Sequence, residues 1–261
     1  SKIIEATISY NTKAVAVDIS CDKILTKEIL KNQCLPVAEG GIVRSPLELF
    51  IEAKEIGYPI VLKPCYGNQG KGVFINIKSE KEAINAYNIL SKKYDNIMIE
   101  KNITGKDFRI CVINGKAIAV SEKIPPYVVG DGVSTVVELI KNINKDSVRG
   151  EGHEKPLTTI KMDEELKSCV SKHSYRLDSI LPKGEKLIIR ENGNLSTGGK
   201  AVDCTDIICQ DNINICERAA KAIGLDVCGI DICCEDIGKP IDKSGGAILE
   251  VNAAPGIRMH H

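Results

Sequence analysis

The sequence has no excess of charge of either sign: lysine plus arginine and aspartate plus glutamate each total 35, for a formal net charge of zero. A strongly basic nucleic-acid binder and a polybasic membrane-surface protein are both disfavoured, so neither nucleic acid nor membrane is expected as a partner. No apolar run reaches the ~18 residues of a membrane-crossing helix. The opening SKIIEATISY alternates apolar and polar residues and lacks the core of a signal peptide. There is no internal repeat and no low-complexity linker. C-x-x-C pairs are absent too, although the chain holds eleven cysteines. The odd count and the ordinary core content argue against a disulfide framework. The four histidines, His153, His173, His260 and His261, do not pair with cysteines at zinc-ligand spacing. Cys65, Cys111, Cys228, Cys233 and Cys234 lie in apolar, strand-like runs. Small buried hydrophobes in a reducing cytoplasm account for them.

What remains is an ordinary globular composition. Hydrophobic residues make up 43% and charged residues 27% of 261 residues, enough for one large domain or two smaller ones. Residues 3–8 and 14–19 read as short strands. Ser20 and Asp22 open a helical stretch with apolar residues at 24, 25, 29 and 30. Ser45 with Glu48, Ser79 with Glu82, and Thr135 with Glu138 are capping boxes, each opening a helix, the first with Pro46 at its first position. Residues 41–43 are brief and apolar, and strands are expected at 58–64, 73–77 and 96–100. Asn114-Gly115 is a hairpin turn between strands 107–115 and 116–124. A polar loop follows at 145–160, with helices at 163–173 and 210–223. The remaining strands are 186–190, 199–203, 227–235 and 247–252. Hairpins and helices in mixed order predict an α+β fold with antiparallel sheets. A change of character near residue 100 divides the chain into lead-in strands (1–21), a first subdomain (22–100) and a second (101–261).

Four stretches carry chemistry. Gly67 to Gly72 (G-N-Q-G-K-G) lies between two strands, where a Walker loop or a Rossmann turn would need a helix to follow. What is left is a strand–loop–strand hairpin whose N–H groups can cover phosphates. Lys63, in the apolar strand before it, is either an edge lysine that reaches solvent or a phosphate-binding ammonium. Asp231 and Glu250 sit in two apolar runs, CGIDICC and AILEVN, with Asn252 two residues beyond Glu250 and so on the same face. Buried acids need a basic partner or a cation. A few hard oxygen donors suit Mg2+ shared with substrate phosphates. Arg190 ends the apolar run KLIIR before a Gly- and Asn-rich turn, either as a surface ion pair or as a clamp on a carboxylate or phosphate.

In order along the chain, D-K-x-x-T-K (22–27), V-L-K-P with its glycine loop, M-I-E-K-N-I-T-G-K-D-F-R (98–109), G-x-D (229–231) and E-x-N (250–252) resemble the ATP-grasp ligases. VVGDGVSTVVELI, RGEGHEKPLTTI, RENGNLSTGGKAVDCTD and EVNAAPGIRMH are similar to the ATP-grasp domain of the cyanophycin synthetases. The glutathione-synthetase module of bifunctional glutathione-synthesising enzymes carries related stretches. The resemblance implies two α+β subdomains gripping ATP between antiparallel sheets, with residues 22–100 as the lid subdomain. It implies that Lys23 and Lys63 contact ATP phosphates, and that Gly67, Asn68, Gln69, Gly70, Lys71 and Gly72 form the lid over them. Glu100, Lys101 and Ile103 would frame the adenine and Asp107 the ribose. Asp231, Glu250 and Asn252 would hold Mg2+, with Mn2+ as the substitute. Arg190 would act with Lys63 at the transferring phosphate. Arg109, His153, Ser196, Thr197, Gly198 and Gly199 would face the substrate. The implied activity joins a carboxylate to an amine through an acyl-phosphate, adding aspartate to a poly-aspartate backbone; a glutathione-synthetase-like peptide ligase and an ATP–Mg-binding module without turnover are the alternatives. Members of this kind carry domains on both sides of this segment, so flanking domains and a homo-oligomer are expected.

Overall fold

The computed structural model describes residues 4–66, 72–152 and 154–260. The glycine loop at 67–71 and His153 lie outside them. The chain forms two compact units: residues 1–120 with 204–256, and residues 121–203 with 257–261.

The first unit holds one antiparallel sheet whole and most of the strands of a second. One has four strands in the order Gly40–Val43, Ile97–Lys101, Ile60–Pro64, Phe74–Ile77. Its apolar face packs against helices Pro46–Ile56 and Glu80–Leu90, around Leu49, Ile60, Leu62, Tyr87, Ile97 and Ile99. Ile60–Pro64 is an inner strand, so the reading of Lys63 as an edge lysine is corrected: its neighbours on both sides are strands. The other sheet has the order Lys200–Asp203, Lys116–Ile124, Lys106–Ile113, Val227–Cys234, Ala247–Ala253. Phe108, Ile110, Val112, Ile230, Ile232 and Val251 belong to its core, with Ala219, Ala220 and Ile223 of helix Gln210–Ile223. The chain passes into the second unit along Lys116–Ile124, whose residues 121–124 pair with Lys200–Asp203. The second unit pairs Tyr127–Val129 with Lys186–Ile188 and packs helices Val136–Asn144 and Glu164–Lys172 around Val128, Ile140, Leu166 and Ile189.

The α+β class with antiparallel sheets is the one expected, and local signals place most elements. Thr135 and Glu138 form a reciprocal capping box. Ser45 and Ser79 accept from the N–H of Glu48 and Glu82, but those glutamates turn back to Arg44 N and Lys78 N, one residue ahead of the cap. Asn114 and Gly115 both take positive φ, as the tight hairpin requires. Two elements are corrected. Residues 3–8 are not one strand: Ile4–Glu5 and Ile8–Ser9 are two-residue strands paired antiparallel, with Ala6 at a φ of 53° between them. Residues 14–19 are not a strand but most of a helix, Ala14–Cys21. Its alternation AVAV is compatible with a strand, yet the buried positions Ala16 and Ser20 are four apart, and the helix packs on Ala247–Ala253. Asp22 alone caps the next helix, Lys23–Asn32, by accepting from Ile24 N and Leu25 N at 3.0 Å; Ser20 belongs to the helix before. Among the described residues no helix is long and apolar enough to cross a membrane.

Candidate active site

The register of the five-stranded sheet decides which side chains meet. Asp231 lies opposite Arg109 on one side and Glu250 on the other, so the three stand on one face in a single row. Two residues along, Gly229 is opposite Cys111 and Asn252 and shares that face. The opposite face carries Ile230 and Ile232 into the core. A bulge fixes this arrangement: Asp231 pairs with Glu250 but Ile232 pairs with Ile248, leaving Leu249 as the extra residue. Without it the row of acids would fall out of step with the apolar face beyond.

Asp231 is 7% exposed and is gripped by Arg109 through both oxygens, with Nη2 to Oδ2 at 2.9 Å and Nε to Oδ1. Burial opposes the charge on Arg109, but Asp231 and then Glu250 outweigh it and hold the guanidinium protonated. Gly229 makes room for that arginine. A Cβ there would lie 2.8 Å from Arg109 Cδ and 2.8 Å from Pro255 Cβ. Glu250 takes its own cation, Lys23, at 3.2 Å. Asn252 donates from its amide to Gly229 O at 3.3 Å. Both acids singled out by sequence therefore face basic partners. Two carboxylates and an amide oxygen on neighbouring rows are also a hard-oxygen donor set, which fits a divalent cation completed by phosphate oxygens. Among the described residues no group of three or more His, Cys, Asp or Glu side chains could hold a metal ion without such help.

Lys63 and Glu100 lie next to one another in space. Ile60–Pro64 and Ile97–Lys101 are paired, and Lys63 Nζ meets Glu100 Oε2 at 2.5 Å. Lys27 Nζ takes the other oxygen, Oε1. Burial pushes the Glu100 carboxyl up, but the two ammonium groups outweigh it and hold it below its ordinary value. Lys23 and Lys27 are one helical turn apart, so one face of Lys23–Asn32 reaches both Glu250 and Glu100 across a narrow crevice floored by Ile248 and Val251. Tyr66 donates to Asp22 Oδ2 at 3.0 Å, holding the entry to the glycine loop against the start of this helix. Lys101 Nζ is committed to the carbonyls closing helix Pro46–Ile56, with Gly57 O at 2.8 Å. Ile103 O accepts from Cys233 Sγ at 3.5 Å, and Asp107 is in register with Cys233.

The remaining candidates lie in the second unit. Arg190 is 2% exposed and donates to Asp163 Oδ2 (2.6 Å), Glu165 Oε2 (3.0 Å) and Lys161 O (3.0 Å), while its Nε has no hydrogen-bond partner among the described residues. The surface reading of this arginine is thereby corrected. Ser196 and Thr197 lie in the turn Leu195–Thr197, where Thr197 Oγ1 donates to Asn192 Oδ1 at 2.7 Å. Gly198 has φ of 99°, and a Cβ on it would strike Ile160 at 2.5 Å. Its carbonyl accepts from the buried Arg149 at 3.0 Å. Sequence reasoning missed the roles of Lys27, Gly229 and the Arg109 grip. The signals were present as lysines four apart in D-K-x-x-T-K and a glycine two before the aspartate in G-x-D.

The model of the RimK-like ATP-grasp domain matches residues 20–126. The cyanophycin synthetase of Crocosphaera subtropica is 47% identical over 262 residues, which cover 99% of this chain and 30% of that protein. The bifunctional glutathione-biosynthesis protein of Clostridium perfringens is 31% identical over 264 residues, covering 98% of this chain and 33% of that one. Among solved structures, the bifunctional glutathione synthetase of Pasteurella multocida superposes with a TM-score of 0.66 at 26% identity, over 97% of this chain and 35% of that one. The chain thus spans about a third or less of the curated relatives it matches. On the fold, the match over 20–126 and the likeness along its whole length, the chain carries a RimK-like ATP-grasp domain and resembles the ATP-grasp ligases.

Proposed function

We propose that the chain is the ATP-using module of a carboxylate–amine ligase of the cyanophycin-synthetase type. The observation that carries this reading is the row Arg109–Asp231–Glu250, flanked by Lys23 and by the Lys63–Glu100–Lys27 cluster, in a chain 47% identical to such a synthetase. In this reading Lys23 and Lys63 bind the triphosphate, and the loop Gly67 to Gly72 closes over it. The backbone around Glu100, Lys101 and Ile103 borders the adenine, and Asp107 the ribose. Asp231, Glu250 and Asn252 would hold a divalent cation, and Mg2+ there would neutralise charge on the phosphates. In the structure Arg109 and Lys23 are the side chains that neutralise those two acids. Ser196, Thr197, Gly198, Gly199 and His153 line the acceptor side. Arg190, with a buried N–H that has no partner among the described residues, is suited to an anion at the transferring phosphate. Functionally, residues 22–100 act as the lid subdomain and 101–261 carry the metal and substrate site, a division that cuts across the two compact units.

The chemistry follows from these roles. A carboxylate oxygen attacks the γ-phosphorus, and the bond to the ADP oxygen breaks. The amine nitrogen then attacks the carbonyl carbon of the acyl-phosphate, phosphate departs, and the amine loses a proton. No covalent enzyme intermediate is required, so the work of the protein is positioning and charge neutralisation. The carboxylate is the end of an acidic peptide, the amine that of aspartate, and the setting is the cytoplasm, in keeping with eleven free cysteines.

The share of its relatives that the chain spans favours a second reading, a module that binds ATP but turns over only with neighbouring domains or in an oligomer. Phosphate release from ATP with aspartate and a poly-aspartate primer separates the two. Release that needs both acceptors supports the ligase; tight ATP binding with no release supports the dependent module. Glu250→Gln should abolish the divalent-cation dependence of ATP binding, and an unchanged dependence removes the metal assignment.

A further inference from the structure

Lys27 has no part in the roles above, yet its ammonium sits in an enclosed ion cluster. Glu100 is 3% exposed, and each of its oxygens takes one lysine, Lys27 on Oε1 and Lys63 on Oε2. Two cations on one anion leave the cluster with a net positive charge. A lone Lys63–Glu100 pair would be neutral, and the lysine would have little charge left to offer a phosphate. The arrangement carries a cost: burial pushes the Lys27 ammonium down and Lys63 adds to the push, against the pull of Glu100. One lysine is enough to neutralise the carboxylate, so the second ammonium is in excess of the charge that Glu100 carries. An arriving anion would relieve the excess.

We propose that Lys27 is a positioning residue for the nucleotide phosphates: by sharing Glu100 it keeps Lys63 only half neutralised and fixed in place. The proposal rests on the reading of Lys63 as a phosphate ligand. Its location on the helix supports it, since Lys23, one turn earlier on the same face, reaches Glu250 on the other sheet. The helix Lys23–Asn32 thus sets the charge at both acids that border the site.

The test is calorimetric titration of the whole chain with ATP and, separately, with adenosine. Lys27→Met should weaken ATP binding about tenfold, the scale of one charge-assisted hydrogen bond, and leave adenosine unchanged. Lys27→Arg should restore ATP binding. In the double variant Lys27→Met/Glu100→Gln, Lys63 stands without a counter-ion, and the preference for ATP over adenosine should return. That variant also serves if Lys27→Met alone does not fold. Equal losses for ATP and adenosine, or a double variant with no recovered preference, would overturn the proposal. Lys63→Met separates the two claims. If it weakens ATP binding while Lys27→Met does not, the positioning role alone fails; if it leaves ATP binding intact, the phosphate role of Lys63 fails and takes this inference with it.

Discussion

The two units bury charge in opposite ways. In the first, buried acids are held by basic side chains that are themselves largely enclosed: Asp231 by Arg109, and Glu100 by Lys27 and Lys63. In the second, a buried base is held by acids that water can reach. Arg190 is 2% exposed on its side chain, but its partners Asp163 and Glu165 are 48% and 62% exposed. The difference teaches where charge can be exchanged. An enclosed carboxylate that stays ionised needs a cation, so while it is charged its partner can be replaced only by another cation. An enclosed arginine with solvated partners can release one of them at little cost and take a different anion.

This contrast can be broken by experiment. The largest effect is expected from Arg109→Met, which removes the guanidinium that grips both oxygens of the buried Asp231; urea unfolding should show a loss of about 3–5 kcal/mol. Arg190→Met should cost less, about 1–3 kcal/mol, because water can solvate Asp163 and Glu165. Equal losses would end the comparison. Next comes Gly229→Ala, whose new methyl must displace Arg109 or Pro255; a loss of about 1–3 kcal/mol is expected by the same method.

Acid titration sharpens the contrast with a smaller effect. The Glu100 carboxyl is held below its ordinary value of 4.5, so its interactions stabilise the fold fully above that value. That contribution is lost as pH falls through the lowered value. Asp163, lowered mainly by Arg190 against the opposing effect of burial, has the same sign but a smaller share, since it is half-exposed. Melting temperature against pH should therefore lose more of its acid dependence in Glu100→Gln than in Asp163→Asn. The smallest signal is in the thiols. Burial pushes Cys228 of the first unit up to about 12 and Cys169 of the second up to about 11. A thiol reagent should modify the exposed Cys21 and Cys34 first and leave both of these untouched in the folded chain. Early loss of Cys169 would show that the second unit opens on its own.

Much of this was legible in the sequence because it is written locally. Capping residues, the Asn114-Gly115 turn and the run of apolar strands place most elements without knowledge of their neighbours. The family's motifs then marked Lys23, Lys63, Asp231 and Glu250. Partnership was not legible. That Arg109 lies opposite Asp231 depends on strand register, and the bulge at Leu249 that brings Glu250 into that row leaves no mark in AILEVN. The helix Ala14–Cys21 was misread because a period of two and a period of 3.6 coincide over so short a run; only packing on Ala247–Ala253 decides between them.

The most direct test of the ligase reading is to trap the acyl-phosphate. The chain would be given ATP, Mg2+, an acidic peptide with a free terminal carboxylate, and hydroxylamine in place of the amino acid. The account predicts a peptide hydroxamate formed in step with ADP and phosphate, and its loss in Glu250→Gln. ATP cleaved to AMP, or a hydroxamate that forms equally well without Glu250, would contradict it.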